Sequence, residues 1–155
     1  MTTVRFSLTT EVPPDRFINA LTDFSDRRPS LWPNLDPQCF QVHAVGPTTA
    51  EVTEGATFAG GIWERGTYDW STPGIVRFTV EESNAFAAGS FWEYQVSPDG
   101  GGSLIEVTVR RVPRTNKARL VALLLSVFGR RVFRNDLQRT LTLLAGTTEI
   151  PGGGR

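Results

Sequence analysis

Residues 103–145 read SLIEVTVRRVPRTNKARLVALLLSVFGRRVFRNDLQRTLTLLA, and their hydrophobic period changes at Pro113. Before this proline every second residue from Ile105 to Val109 is apolar, which is typical of a strand with one buried face. Residues 115–145 have no proline and no such alternation, and helix-forming residues dominate. We therefore predict a last strand followed by one long helix, or by two helices in line.

Upstream, turn residues divide the chain into further short alternating segments. Val4, Phe6 and Leu8 predict a first strand, Pro13-Pro14 opens a helix, and a second short helix begins near Ser25. The other predicted strands lie at residues 38–45, 50–58, 61–71, 75–83, 90–97 and 103–112. This order predicts an α+β fold in which a curved antiparallel sheet of about seven strands wraps the long C-terminal helix. We assign residues 1–146 to one domain and residues 147–155 to a flexible tail, and we expect a ligand cavity between sheet and helix.

Composition excludes several classes of protein. The chain has 155 residues, 39% of them hydrophobic and 21% charged, which suits one globular domain. One cysteine and one histidine exclude a disulfide framework and a Cys/His zinc site, so we expect no metal and no cofactor. The sequence shows neither a signal peptide nor an apolar segment of membrane-spanning length, so we expect a cytoplasmic protein.

The net charge of zero conceals an asymmetry along the chain. Residues 1–109 carry six arginines against fourteen acidic residues, whereas residues 110–139 carry nine basic residues against Asp136. One interpretation is that a basic C-terminal element packs on an acidic body. The other is that the basic segment attracts an anionic partner such as a membrane or RNA. Apolar residues interleave the arginines, so we favour the first and expect no nucleic-acid partner.

The strand period also predicts which side chains face the cavity. On the strand 75–83 the inward set is Val76, Phe78 and Val80. An even-length connection to the preceding strand would place Trp63, Arg65, Thr67 and Asp69 on the same face, whereas a three-residue loop would reverse that set. Our candidate ligand-binding residues are Trp32, Trp63, Arg65, Asp69, Phe78, Trp92, Tyr94 and Phe128.

Arg65 has two interpretations. It can pair with loops or water near the rim, or it can hold a carboxylate, carbonyl or phosphate of a ligand whose hydrocarbon body packs on the aromatic residues. On the long helix, the apolar residues before and after Gly129 fall on nearly opposite sides. We therefore predict a bend or break of the helix within Phe128–Arg131.

This element order resembles the START-related helix-grip superfamily (SRPBCC), which includes polyketide cyclases and dehydratases and the birch-pollen-allergen group. Residues 31–35 (LWPNL), 51–55 (EVTEG), 63–65 (WER) and 68–71 (YDWS) are similar to an actinobacterial, polyketide cyclase/dehydrase-like branch. The resemblance covers residues 4–145. It implies that a hydrophobic molecule binds between sheet and helix. Catalysis is not fixed to shared positions in this superfamily, so the resemblance assigns no catalytic residue.

Three hypotheses for the function remain. The first is a carrier or sensor that holds a lipid, polyketide or aromatic metabolite. The second is a polyketide cyclase or dehydratase, in which Asp69 or Glu54 would be the base and Arg65 or Tyr94 would stabilise an enolate oxygen. The third is an interaction module whose basic helix meets an acidic partner. The expected partner is a small hydrophobic ligand, with a second copy of the chain as an additional option.

Overall fold

The alternating segments form one antiparallel sheet, and the long helix packs against it in a helix-grip arrangement. The computed structural model describes residues 1–56 and 61–146, and these include a sheet of seven strands. The strands are β1 (Thr2–Thr10), β2 (Gln41–Val45), β3 (Thr49–Ala56), β4 (Ile62–Asp69), β5 (Ile75–Ser83), β6 (Phe91–Asp99) and β7 (Gly102–Arg111). They lie in the order β1-β7-β6-β5-β4-β3-β2, and each neighbouring pair is antiparallel.

Two short helices follow β1, as predicted. Helix α1 (Pro14–Leu21) begins with a proline, whose fixed φ suits the first turn, and it buries Phe17 and Leu21 against the sheet. Helix α2 (Arg28–Leu31) has four residues, and a 3-10 turn follows at Pro37–Cys39. Helix α3 (Asn116–Gly146) closes the described chain.

The register between β1 and β7 confirms the inner face predicted for both strands. Phe6 lies opposite Val107 and Leu8 lies opposite Ile105, and all four side chains are buried. At the start of β7, Gly102 passes so close to β1 that an added Cβ would lie 1.9 Å from the carbonyl oxygen of Thr10. A glycine is therefore required where the β6–β7 hairpin meets β1.

The predicted inner face of β4 is wrong. Tyr68 lies opposite Phe78, and Gly66 lies opposite Val80. Tyr68 and Gly66 are therefore the residues of β4 on the cavity side of the sheet. The connection between β4 and β5, residues 70–74, holds an odd number of residues, which exchanges the two faces of β4. Trp63, Arg65 and Asp69 consequently project from the outer face.

The predicted break in the C-terminal helix is also wrong, because α3 is continuous through Gly129. The N-terminal half of α3 buries small residues, Ala118, Ala122 and Gly129, against the rest of the fold. A Cβ on Gly129 would lie 3.1 Å from Val4 Cγ2, which shows how closely the helix approaches β1. Val121 and Leu125 are buried beside them, whereas the other large apolar residues of this half stay at the surface, so α3 needs no break to bury its inner side.

No helix in the described residues combines the length and the hydropathy needed to cross a bilayer. The tail predicted for residues 147–155 lies outside the described residues.

Candidate functional site: a cavity between the sheet and the C-terminal helix

A cavity of about 570 Å³ lies between the inner face of the sheet and α3. This volume is within the range of about 300–1,000 Å³ that is usual for small-molecule sites. Leu124, Phe128 and Val132 line the cavity and are themselves 48%, 57% and 41% exposed, so it reaches the surface beside α3. Asn34, also exposed, borders the same opening.

The wall is mainly aromatic and aliphatic. Tyr68 stacks on Phe78 with ring centroids 4.6 Å apart, and Trp92 meets Phe133 of α3 edge-on at 4.8 Å. These ring–ring contacts hold the aromatic side chains in place. The wall can therefore present a preformed apolar surface to a ligand.

One buried arginine lies at the end of the cavity near α1 and α2. Arg28 is 3% exposed, its Nε donates to Glu54 Oε1 at 2.6 Å, and its Nη2 donates to the Tyr68 hydroxyl at 2.8 Å. The Tyr68 hydroxyl in turn donates to Glu54 Oε2 at 2.9 Å. We call Arg28, Glu54 and Tyr68 the inner triad. Burial disfavours the charge of Arg28, but Tyr68 and Glu54 outweigh it and raise the arginine pKa, so Arg28 stays protonated.

A second arginine pairs with a second carboxylate on the same wall. Arg111, from β7, donates to Glu64 and lies 4.7 Å from the centroid of the Trp92 ring. Burial raises the pKa of Glu64, although the charge of Arg111 lowers it. Glu64 stands directly opposite Glu54 in the β3–β4 register, so two carboxylates face the cavity side by side. Each carboxylate has its own arginine, which is how both remain buried.

Two further polar groups line the cavity without a hydrogen-bond partner among the described residues: the Tyr94 hydroxyl and the Asp136 carboxylate. Burial raises the pKa of Tyr94, which keeps the phenol protonated and able to donate. Burial also raises the pKa of Asp136, while Arg139 lowers it. These are the groups that a bound molecule can satisfy.

The charges on the cavity wall do not favour an anion. Arg28 and Arg111 are each neutralised by a glutamate, and Asp136 adds a negative charge that no described ion pair cancels. A ligand carboxylate would meet two arginines whose charges are already neutralised, and it would be repelled by the charge of Asp136. Within residues 1–56 and 61–146, no three His, Cys, Asp or Glu side chains are grouped as metal ligands would be.

Five of the eight candidate binding residues line this cavity. They come from the segment after α2, from β5 and β6, and from α3: Trp32, Phe78, Trp92, Tyr94 and Phe128. Glu54, the alternative catalytic base, also lines the cavity, but both of its oxygens are held by the inner triad.

The other three candidates lie on the outer face of the sheet. Arg65 Nη2 donates to Glu51 Oε1 at 2.6 Å, and Asp69 Oδ1 accepts from the Ser71 amide at 2.8 Å. The Trp63 amide donates to Asn84 at 3.0 Å, and its side chain is half-buried outside the cavity. The predicted inward position of Arg65 is therefore wrong, for the reason given by the register of β4.

Four charged residues of the wall were not among the candidates: Arg28, Glu64, Arg111 and Asp136. Arg111 continues the alternation of Ile105, Val107 and Val109, so its inward direction could have been predicted. Glu64 shares the face of Tyr68, and the error in register concealed it. Arg28 lies on a four-residue helix, where no period identifies a buried side.

The same architecture recurs in solved structures. The Zhui aromatase/cyclase from Streptomyces sp. R1128 matches with a TM-score of 0.77 at 16% identity, covering 98% of each chain. A START superfamily protein from Mycobacterium smegmatis matches with a TM-score of 0.76 at 12% identity, covering 96% of this chain and 100% of the other. Norcoclaurine synthase from Thalictrum flavum, in complex with dopamine and hydroxybenzaldehyde, matches with a TM-score of 0.66 at 10% identity, covering 96% and 88%. At these identities the likeness shows the fold alone.

No curated protein matches the sequence. The family model for "Polyketide cyclase / dehydrase and lipid transport" matches residues 1–149, nearly the whole chain. The match agrees with the helix-grip fold and with the resemblance seen in the sequence. The chain therefore belongs to the polyketide cyclase/dehydrase and lipid transport family.

Proposed function

We propose that this protein is a carrier or sensor that binds a neutral, largely hydrophobic molecule bearing at least one hydroxyl, carbonyl or phenol group. The observation that carries the proposal is the pairing of an aromatic cavity with two unpartnered polar groups, Tyr94 and Asp136. A neutral polar group can accept from Tyr94 or donate to Asp136 without breaking either buried ion pair. The three ligand classes considered in the sequence analysis, lipids, polyketides and aromatic metabolites, each include molecules of this description.

The size of the cavity supports useful affinity. Burying about 200–300 Å² of apolar ligand surface contributes roughly 5–7 kcal/mol at ~25 cal/mol per Å², before ordering costs. Such a contribution corresponds to dissociation constants of about 10–200 μM when the wall is preformed. A hydrogen bond from Tyr94 then orients the ligand, and adds about 0.5–1.5 kcal/mol.

Tryptophan fluorescence tests the proposal directly, because the tryptophans differ in position. Trp32 and Trp92 line the cavity, whereas Trp63 lies on the outer face. We expect a neutral aromatic alcohol to quench the protein's fluorescence, the double variant Trp32→Phe/Trp92→Phe to remove most of the quenching, and Trp63→Phe to retain it. Equal quenching in both variants would place the ligand elsewhere, and no quenching by any apolar ligand in the folded protein would refute the proposal.

A second candidate function is catalysis of a cyclisation or dehydration, and one observation favours it. Asp136 is a cavity carboxylate with a raised pKa, near the Tyr94 hydroxyl. A base needs this combination to remove a proton from a carbon next to a carbonyl, with a phenol hydrogen-bonded to the developing enolate. The names of two solved proteins of this fold, an aromatase/cyclase and norcoclaurine synthase, support the comparison.

Mass spectrometry of a bound carbonyl compound separates the two functions. A carrier returns the compound unchanged, from the wild type and from Asp136→Asn alike. An enzyme converts it, and we expect Asp136→Asn to reduce the rate by about 100-fold or more, as for other acid–base residues. Tyr94→Phe should then lower the rate of conversion more than it lowers affinity.

A further inference from the structure

The N-terminal half of α3 carries an unusual concentration of exposed apolar side chains. These are Leu120, Leu123, Leu124, Val127 and Phe128, which are 48–69% exposed. We call them the apolar stripe. Their spacings of three and four residues place them on one side of the helix, opposite the buried residues Ala118, Ala122 and Gly129. Isolated exposed leucines are ordinary, but a continuous row of five indicates a surface that contacts something.

Basic residues surround the apolar stripe. Lys117 lies one turn before it, and Arg131 and Arg134 lie after it on the same side, all of them exposed. Among the described residues none of these three has a carboxylate within ion-pair distance. The acidic residue of α3, Asp136, faces the cavity instead. The surface is therefore apolar in the middle and positively charged at both ends.

We propose that the apolar stripe is a docking surface for an anionic lipid bilayer. A bilayer surface offers an apolar interior beneath negative headgroups, which matches both parts of this face. Long basic side chains can reach the headgroups while leucine, valine and phenylalanine enter the acyl region. An amphipathic helix with an apolar side and flanking basic residues binds along the bilayer surface.

Charge distinguishes this occupant from a second copy of the chain. If two α3 helices met through their apolar stripes, Lys117, Arg131 and Arg134 of one copy would approach the same basic residues of the other. Within the described part of α3, no acidic side chain lies on this face to compensate for them. An anionic bilayer instead gains from each of these charges.

The cavity opens beside the apolar stripe, so docking would change what its opening faces. Leu124 and Phe128 belong to the apolar stripe and also border the opening of the cavity. Docking would turn this opening towards the acyl chains, so that a hydrophobic ligand could pass between bilayer and cavity without crossing water. The docking surface itself does not depend on what the cavity holds.

Co-sedimentation with lipid vesicles tests the proposal. We expect the wild-type protein to bind vesicles of phosphatidylcholine with phosphatidylserine, and to bind pure phosphatidylcholine vesicles at least ~10-fold more weakly. Val127→Asp should reduce binding to the anionic vesicles about tenfold or more. The matched control is Val45→Asp, which alters an equally exposed valine on β2 and should bind like the wild type. Arg131→Glu should weaken binding at least ~5-fold, since each basic charge contributes about that factor.

Val127 and Leu123 do not line the cavity, so substitutions there leave the cavity wall unchanged. Ligand binding can therefore be tested separately from vesicle binding. Val127→Asp should retain the fluorescence quenching by a neutral ligand, and this retention also shows that the variant is folded. Equal vesicle binding by Val127→Asp and the wild type would overturn the docking surface. A wild-type dimer that Val127→Asp converts to monomers, with no vesicle binding, would identify a second copy as the occupant and overturn the proposal as well.

Discussion

Two arginine–glutamate pairs have their glutamates on the same strand, β3, but differ in their exposure to water. Arg65 and Glu51 meet on the outer face, with side chains 43% and 33% exposed. Arg28 and Glu54 meet on the inner face, with side chains 3% and 15% exposed. Glu51 and Glu54 are three residues apart on β3, so the alternation of the strand sends them to opposite faces. Of the two pairs, the inner one is largely shielded from water, so breaking it should cost more folding stability.

The largest effect should follow from breaking the inner pair. Arg28→Ala leaves the largely buried Glu54 carboxylate without its cation and the Tyr68 hydroxyl without its donor. We expect a loss of about 3–5 kcal/mol in the free energy of unfolding, measured by chemical denaturation. Arg28→Lys should recover part of the loss, because one charge remains but two of the guanidinium hydrogen bonds do not. A loss no greater than that of an exposed arginine would show that the inner triad is not buried in solution.

Removing the charge of Asp136 should have a smaller effect on the free energy of unfolding, and one of opposite sign. Burial raises its pKa above 3.8, so the folded protein binds this proton more tightly than the unfolded chain does. The charged form therefore costs stability, and that cost grows as the pH rises from 3.8 through the raised pKa. Asp136→Asn should stabilise the protein at pH 7 by less than about 1 kcal/mol, since solvent screens a half-buried group.

The stabilisation by Asp136→Asn should disappear as the pH falls below 3.8, because the wild-type carboxyl is then neutral as well. Thermal unfolding of both proteins across this range provides the measurement. A difference in stability that does not change with pH would mean that Asp136 acts through packing rather than through its charge.

The smallest effect should come from the outer pair. Arg65→Ala removes an exposed contact with Glu51, and water solvates both groups afterwards. We expect a change in melting temperature close to the error of calorimetry and unchanged affinity for neutral and anionic ligands alike. If Arg65→Ala selectively weakened the binding of an anionic ligand, Arg65 would be a ligand anchor after all, contrary to its position on the outer face.

The contrast between the pairs also marks what could be predicted from the sequence. The seven strands, their order of appearance and the inner faces of β1 and β7 follow from alternation, which each strand carries in its own residues. The face of β4 depends on the parity of a connection, and a difference of one residue there reverses Trp63, Arg65 and Asp69 together. Long-range partners such as Arg28 and Tyr68, 40 residues apart, leave no local pattern.

Helix α3 shows a different limit. Its apolar residues suggested two opposed buried faces and hence a break near Gly129. The prediction omitted Ala118, Ala122 and Gly129 from the buried face and assumed that large apolar residues must be covered. In the structure the small residues are buried and the apolar stripe is exposed. The exposed apolar stripe, which contradicts that assumption, is the observation from which the docking surface is inferred.

The central claim is that the cavity selects a neutral polar ligand, because its arginines are already paired and Tyr94 is free to donate. The most direct test is calorimetric titration with two ligands of the same shape, an aromatic or aliphatic alcohol and the matching carboxylate, at pH 7. The account predicts that the alcohol binds at least ~10-fold more tightly, and that Tyr94→Phe weakens it by about 2–10-fold, the loss of one neutral hydrogen bond. Tighter binding of the carboxylate, or no effect of Tyr94→Phe on the alcohol, would contradict the account.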